Sequence, residues 1–206
     1  AAKKDIPEVE LFVMSYCPYG LQIEKGILPV IQLLGSKINF SLKFLDYSMH
    51  GDKEIQENLR QYCVQRQGLE KLKSYLACFV KQDNSDACLN ESRADKTKLA
   101  SCVSATDAQF KITQNAKDRT LWKSGQYPLF DVNKADVAKY GVGGSPALVI
   151  NGTEVSAPRD PAGLLKLICS GFSSEPAECS QQLSGDTPSS GFGEGAGSNA
   201  SSSCGN

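Results

Sequence analysis

Val9-Glu10-Leu11-Phe12-Val13-Met14-Ser15-Tyr16-Cys17-Pro18-Tyr19-Gly20 is the stretch on which the fold turns. Val9, Leu11 and Val13 alternate with Glu10 and Phe12, the period-2 pattern of a short buried strand. From about Pro18 the apolar positions recur at helical spacing instead: Leu21, Ile23, Ile27, Leu28, Val30, Ile31 and Leu34. A proline just inside a helix start costs nothing, because its missing N–H would be unpaired there. Pro29, further along, removes one backbone bond and is expected to kink the helix rather than end it. Cys17 therefore falls where a strand ends and a helix begins. Unpaired N–H groups and the positive end of the helix dipole favour a thiolate at that point. Cys17 is the candidate nucleophile.

A second stretch, Gly141-Val142-Gly143-Gly144-Ser145-Pro146-Ala147-Leu148-Val149-Ile150-Asn151-Gly152, supplies a Ser-Pro step before an apolar strand. Asn151-Gly152 is predicted to turn that strand back as a hairpin. A proline at the first position of a strand is a candidate for a cis bond. Together the two stretches resemble the thioredoxin superfamily, and within it the DsbA-like thiol oxidoreductases, in which Tyr-Gly-Val-x-Gly-Ser/Thr-Pro precedes the third strand. The likeness runs over about residues 8 to 172. It implies an α/β thioredoxin fold, with Cys17 as nucleophile and Pro146, preceded by Ser145, as a cis proline facing it. Pro18, Tyr19, Ser145 and Pro146 would then line a groove for an extended substrate. The chain departs from the family at one position, since Gly20 stands where Cys-x-x-Cys has its second cysteine.

With 206 residues and a net charge of −1, the chain is long enough for a sizeable core and has no field to attract nucleic acid. No apolar run approaches the ~20 residues that span a bilayer. Eight cysteines, none paired at zinc-finger spacing, point to disulfides in an oxidising compartment, with no metal and no cofactor implied. The expected location is extracytoplasmic, whether secreted, periplasmic or tethered to an outer membrane face. The Ala1-Ala2 start suggests a removed signal peptide or anchor. Asn90, Asn151 and Asn199 begin Asn-x-Ser/Thr sequons, which chance readily supplies in a Ser-rich chain.

The domain reading follows. Residues 8–51 and 138–172 form the thioredoxin-like part, 52–137 a mostly helical insertion, and 173–206 a Cys-bearing Gly/Ser-rich tail. The insertion holds Cys63, Cys78, Cys88 and Cys102, for which three pairings exist. Their mirror spacing favours Cys78–Cys88 closing a helical hairpin and Cys63–Cys102 bracing it. Cys169 and Cys179 would close a small ring near the last helix (Pro161 to Ile168, capped by Asp160). Cys17 and Cys204 are left over. His50, the single histidine, is read as a turn residue without a catalytic role. Trp122 to Asp131 is read as a connecting loop with core-facing apolar side chains.

The tail from Ser184 is too poor in apolar residues to order itself and is expected to be flexible, with a reach of ~25–30 Å. That reach makes Cys204 a possible resolving cysteine for Cys17. The leading functional expectation is a thiol–disulfide oxidoreductase or isomerase that acts through a mixed disulfide on Cys17. Its partners would be disulfide- or thiol-bearing proteins and a membrane redox partner. The alternative is a non-catalytic thioredoxin-fold module that binds a peptide in the same groove, which Gly20 favours. A single-cysteine iron–sulfur carrier fits less well, given the disulfide-rich setting.

Overall fold

The computed structural model describes residues 2–198 and 202–205; Ala1 and the sequon at Asn199 lie outside them. Strand β1 (Glu8–Val13) is central in a four-stranded sheet of order β2-β1-β3-β4. It pairs in parallel with β2 (Asn39–Phe44), Val9 opposite Phe40 and Leu11 opposite Leu42. On its other side it pairs antiparallel with β3 (Ala147–Ile150), which turns through Asn151-Gly152 into β4 (Thr153–Val155). A parallel pair needs a crossover element, and α1 (Pro18–Leu34) provides it.

Period-2 geometry divides β1 between two cores. Val9, Leu11 and Val13 face the larger one, with Leu148 and Ile150 of β3 and the apolar side of α1. Phe12 faces the smaller one, with Ala147 and Val149, and this second cluster also contains Cys17 and Cys204. Burial on both faces explains why β1 has Val9, Leu11, Phe12 and Val13 all fully buried.

Helix α1 runs through Pro29 without ending and is closed by Gly35, whose φ of 51° suits glycine. Gly26 lets it lie against the loop before the last helix, since a Cβ there would stand 2.1 Å from the Arg159 carbonyl oxygen. That last helix is capped by the Asp160 carboxylate, which accepts from the Gly163 N–H at 2.7 Å.

Between β2 and β3 lie α2 (Asp52–Gln65), α3 (Leu69–Phe79), α4 (Ser85–Glu91), α5 (Lys96–Phe110), the short α6 (Ile112–Asn115) and α7 (Lys134–Tyr140). The last helix, Pro161–Cys169, is α8. Cys63 of α2 is joined to Cys102 of α5, Cys78 of α3 to Cys88 of α4, and Cys169 to Cys179. The polar centre of the insertion is Glu57, fully buried. It accepts from the Tyr75 hydroxyl at 2.6 Å, Gln61 Nε2 at 3.0 Å and the Ser85 hydroxyl at 2.8 Å, and is ion-paired with Arg60. With both oxygens occupied, the buried charge is compensated. In the 122–131 loop Phe130 is fully buried, while Trp122 is half-buried and donates to the Ala116 carbonyl at 3.2 Å.

Among the described residues from Ser184 onward the tail has no helix or extended strand, as its composition leads one to expect, yet it does not stand away from the body as a free linker. Phe192 packs edge-on against Tyr16 and Phe79, with ring centroids 5.7 and 5.2 Å apart. The Lys25 ammonium donates to Ser189 Oγ, Gly191 O and Gly193 O at 3.2, 2.9 and 2.9 Å. Gln22 Nε2 donates to Pro188 O at 2.7 Å and Ser198 O at 3.1 Å. Polar contacts from α1 substitute for the apolar burial that the tail lacks.

Candidate functional site

Cys17 is the N-cap residue of α1, with extended backbone angles, and its N–H donates to Met14 O at 3.0 Å. The two residues before it are held from the insertion. Asn58 Oδ1 accepts from the Ser15 N–H at 3.1 Å. The fully buried Glu54 carboxylate accepts from the Tyr16 N–H at 3.0 Å, the Met49 N–H at 2.9 Å and His50 Nδ1 at 2.6 Å. His50 thus sits against a buried carboxylate rather than in a solvated turn. Glu54 is the central member of this brace, and the sequence offered no cue to it. An acidic residue in the first turn of a helix reads as a dipole partner, not as a hub for a loop 38 residues upstream.

Opposite Cys17 lies the proline loop. The Ser145–Pro146 peptide bond is cis, and the Ser145 hydroxyl accepts from the Met14 N–H at 2.8 Å, tying that loop to the end of β1. Cys17 Sγ lies 3.3 Å from Ser145 O. Tyr47 Oη donates to Gly143 O at 2.9 Å and supports the loop from the far side. Tyr19 packs half-buried against the smaller core, whereas Pro18 is exposed and its carbonyl accepts from the Gly191 N–H at 2.9 Å. Gly20 is buried, and a Cβ there would lie 3.1 Å from Ser145 Oγ and 3.2 Å from Met14 O.

Cys17 is not an open thiol in this structure. It is disulfide-bonded to Cys204 across a sequence separation of 187, and both residues are buried, Cys17 fully and Cys204 at 9% exposure. The tail cysteine arrives through an isolated antiparallel bridge. Ser145 N donates to Cys204 O at 2.8 Å and Cys204 N donates to Ser145 O at 2.7 Å, a closed antiparallel pair. Gly144 permits that approach, because a Cβ there would lie 2.9 Å from both Cys204 O and Gly205 O. Arg159 Nη2 adds a hydrogen bond to Ser202 O at 3.1 Å. Of the residues read from the sequence as nucleophile, groove and resolver, Cys17, Ser145 and Cys204 therefore meet in one place and Tyr19 borders it, whereas Pro18 is exposed and touches the Gly191 part of the tail instead. Sequence reasoning missed the groups that bring them there: Glu54, Asn58, Gln22, Lys25 and Phe192.

One buried ionisable group stands behind the site. Glu24 is on the face of α1 that also carries Cys17 and Gly20, two turns further along, and it is 1 % exposed. Neither of its oxygens has a hydrogen-bond partner among the described residues. Burial, with a smaller contribution from the Glu57 charge, pushes its carboxyl up to about 8.

No family model matches the chain, and no curated protein matches it. Solved structures do. Oxidised DsbA of Mycobacterium tuberculosis is 15% identical, with 84% of this chain and 86% of that one covered and a TM-score of 0.56. Reduced disulfide bond oxidoreductase DsbG of the same organism is 16% identical, covering 84% and 81%, with a TM-score of 0.54. BdbD of Bacillus subtilis, in its oxidised form, is 18% identical, covering 81% and 89%, with a TM-score of 0.50. This chain has a DsbA-type thioredoxin fold. At these identities the likeness is one of fold, and the chemistry has to come from the site itself.

Proposed function

We propose that the protein is an extracytoplasmic thiol–disulfide oxidoreductase or isomerase with a single-cysteine active site. Cys17 is its nucleophile and Cys204 its resolving cysteine. One observation carries this reading: Cys17, at a helix start beside a cis-proline loop, is bonded to a cysteine whose backbone pairs antiparallel with Ser145. An extended polypeptide in disulfide linkage to Cys17 and in register with Ser145 is the arrangement of a mixed disulfide. The tail takes the place of substrate.

In the reducing direction, Cys17 thiolate attacks a substrate disulfide, forming Cys17–S–S–substrate and releasing the other substrate sulfur as a thiolate. Cys204 thiolate then attacks Cys17, the mixed disulfide breaks, and the second substrate sulfur leaves as a thiolate. The substrate gains two electrons and the protein ends with Cys17–Cys204 oxidised. In the oxidising direction the same steps run backwards, with Cys204 as the first leaving group. Disulfide- or thiol-bearing proteins are the substrates, and a membrane redox partner recycles the pair. Four disulfides accounting for all eight cysteines support an oxidising compartment.

The test is reduction of insulin disulfides and refolding of a scrambled substrate by the intact chain, Cys17→Ser and Cys204→Ser. Turnover is expected in the intact chain and lost in Cys17→Ser, while Cys204→Ser accumulates mixed disulfide. Absence of turnover in every form would leave the binding-module reading, which the occupied groove also accommodates.

A further inference from the structure

Beyond Ser184, the tail touches the body at two separate places. Its end, residues 202–205, covers Cys17 and the proline loop. A second patch, residues 188–198, lies over α1 and the end of α3 and makes no contact with Ser145 or Pro146 in the hydrogen-bond network. The contacts at this patch are dense. Gly191 N donates to Pro18 O at 2.9 Å and Gly193 N to Val80 O at 3.0 Å, while Phe192 fills the corner between Tyr16 and Phe79. Within the patch, Ser189 N donates to Gly195 O at 2.9 Å and Gly197 N to Thr187 O at 2.7 Å, closing it into a compact loop. Gly197 lies so near Pro188 that a Cβ would stand 2.2 Å from its carbonyl oxygen. The Lys25 ammonium has three tail oxygens around it and, among the described residues, no carboxylate, and Gln22 holds both ends of the loop.

Resting on the reading of Cys204 as resolving cysteine, we propose that residues 188–198 form a clip that stays docked when the Cys17–Cys204 bond opens. Lys25 and Phe192 are its positioning residues. The clip's purpose is kinetic and thermodynamic. From Ser198, the last residue held by Gln22, Cys204 is six residues away. Were the clip undone, the nearest upstream anchor would be Ser184, whose carbonyl accepts from the Ala162 N–H, twenty residues before Cys204. Closure probability falls roughly as the −3/2 power of loop length, so the clip raises the effective concentration of Cys204 at Cys17 about sixfold. A substrate displaces only the last few residues of the tail to reach Cys17, and the resolving thiol waits beside it. This arrangement compensates for Gly20: a cysteine three residues away would need no such tether.

The experiment is a redox titration of the full-length chain in glutathione buffers of graded potential, with acid trapping and mass mapping of the Cys17–Cys204 bond. The variant Lys25→Met with Phe192→Ala is expected to hold that bond about sixfold less favourably, a shift of about 23 mV at 29.6 mV per tenfold. Phe192→Tyr, which keeps the ring, is expected to retain the wild-type potential. A double variant within twofold of wild type overturns the clip. A second measurement does not depend on the variant folding. In Cys204→Ser, the Gly191 and Gly193 amides are expected to remain protected from hydrogen exchange, and loss of that protection also overturns it. Failure of the parent reading looks different, since the wild-type chain would then reduce no insulin disulfide and refold no scrambled substrate, whatever the potential of its Cys17–Cys204 bond.

Discussion

The Cys63–Cys102 and Cys17–Cys204 bonds have the same chemistry, and each has one fully buried cysteine, Cys63 and Cys17, but what surrounds them differs. Cys63, on α2, belongs to the larger core with Leu59, Val64, Leu72 and Leu99, and its bond to Cys102 joins α2 to α5, helices that other side chains already hold together. Opening that bond requires moving packed helices. Cys17 is also fixed, by Glu54, Asn58 and the start of α1, but its partner comes from a segment of Gly and Ser residues. Opening this bond requires that residues 202–205 leave the proline loop, with the loss, among the described residues, of two backbone hydrogen bonds to Ser145 and one from Arg159. A disulfide between two rigid elements braces. One with a rigid partner and a soft partner is suited to exchange, and burial alone does not separate the two.

The largest expected effect falls on the bracing side of that contrast. Replacing the pair, Cys63→Ala with Cys102→Ala, releases a loop of sequence separation 39 in the unfolded chain. The chain-entropy relation puts the stability loss at about 4 kcal/mol. Thermal or denaturant unfolding of the variant checks this, and turnover of the folded variant is expected to persist. If turnover disappears while the variant is still folded, Cys63–Cys102 takes part in the exchange and the division between bracing and exchanging bonds is wrong.

The second effect belongs to Glu24, beneath the reactive face. Its folded carboxyl titrates at about 8, against an ordinary value of 4.5. The folded chain therefore keeps a proton that the unfolded chain gives up, and the stability this confers is present below pH 4.5 and lost as pH rises through about 8. Glu24→Gln, neutral throughout, is expected to flatten that dependence. Relative to the variant, wild type should lose on the order of 3 kcal/mol between pH 5 and pH 8, read by urea unfolding at each pH. Equal pH profiles would show that Glu24 is solvated or paired.

How much of this was legible in the sequence depended on whether a position is decided locally. The start of α1 at Pro18, its end at Gly35, the hairpin at Asn151-Gly152 and the cap at Asp160 all follow from turn and cap chemistry within a few residues. The order of cysteines along helical stretches likewise suggested which helices face each other. Glu54, Asn58 and Lys25 were illegible for the opposite reason. Each is a polar residue on an amphipathic helix, and its role is set by a loop or tail brought in from far away in sequence. The tail shows the limit of compositional reasoning most clearly. Its residues cannot form a core of their own, and that is why it looked like a free linker. One phenylalanine and a row of backbone oxygens facing Lys25 and Gln22 are nevertheless enough to seat it on a surface that others have built.

The smallest effect in energy is the one that presses hardest on the comparison, because it offers Cys17 a rigid partner in place of a soft one. Gly20→Cys restores a Cys-Pro-Tyr-Cys sequence at the front of α1. The added Cβ meets Ser145 Oγ at 3.1 Å, Met14 O at 3.2 Å and the Cys17 Cβ at 3.4 Å, so neighbours must give by a few tenths of an ångström. The stability cost is expected to stay within about 1 kcal/mol, at the lower edge of the core overpacking range. Non-reducing peptide mapping is expected to show Cys17 shared between the introduced cysteine and Cys204. Free Cys204 would become alkylatable wherever the local pair forms. Should Cys17 remain wholly paired with Cys204, a docked tail outcompetes a neighbour three residues away, and softness of the partner is not what makes this bond exchangeable. Should it pair wholly with the introduced cysteine while the Gly191 and Gly193 amides stay protected, the tail is held by its own contacts. The Cys17–Cys204 bond is then a consequence of that docking and not its cause.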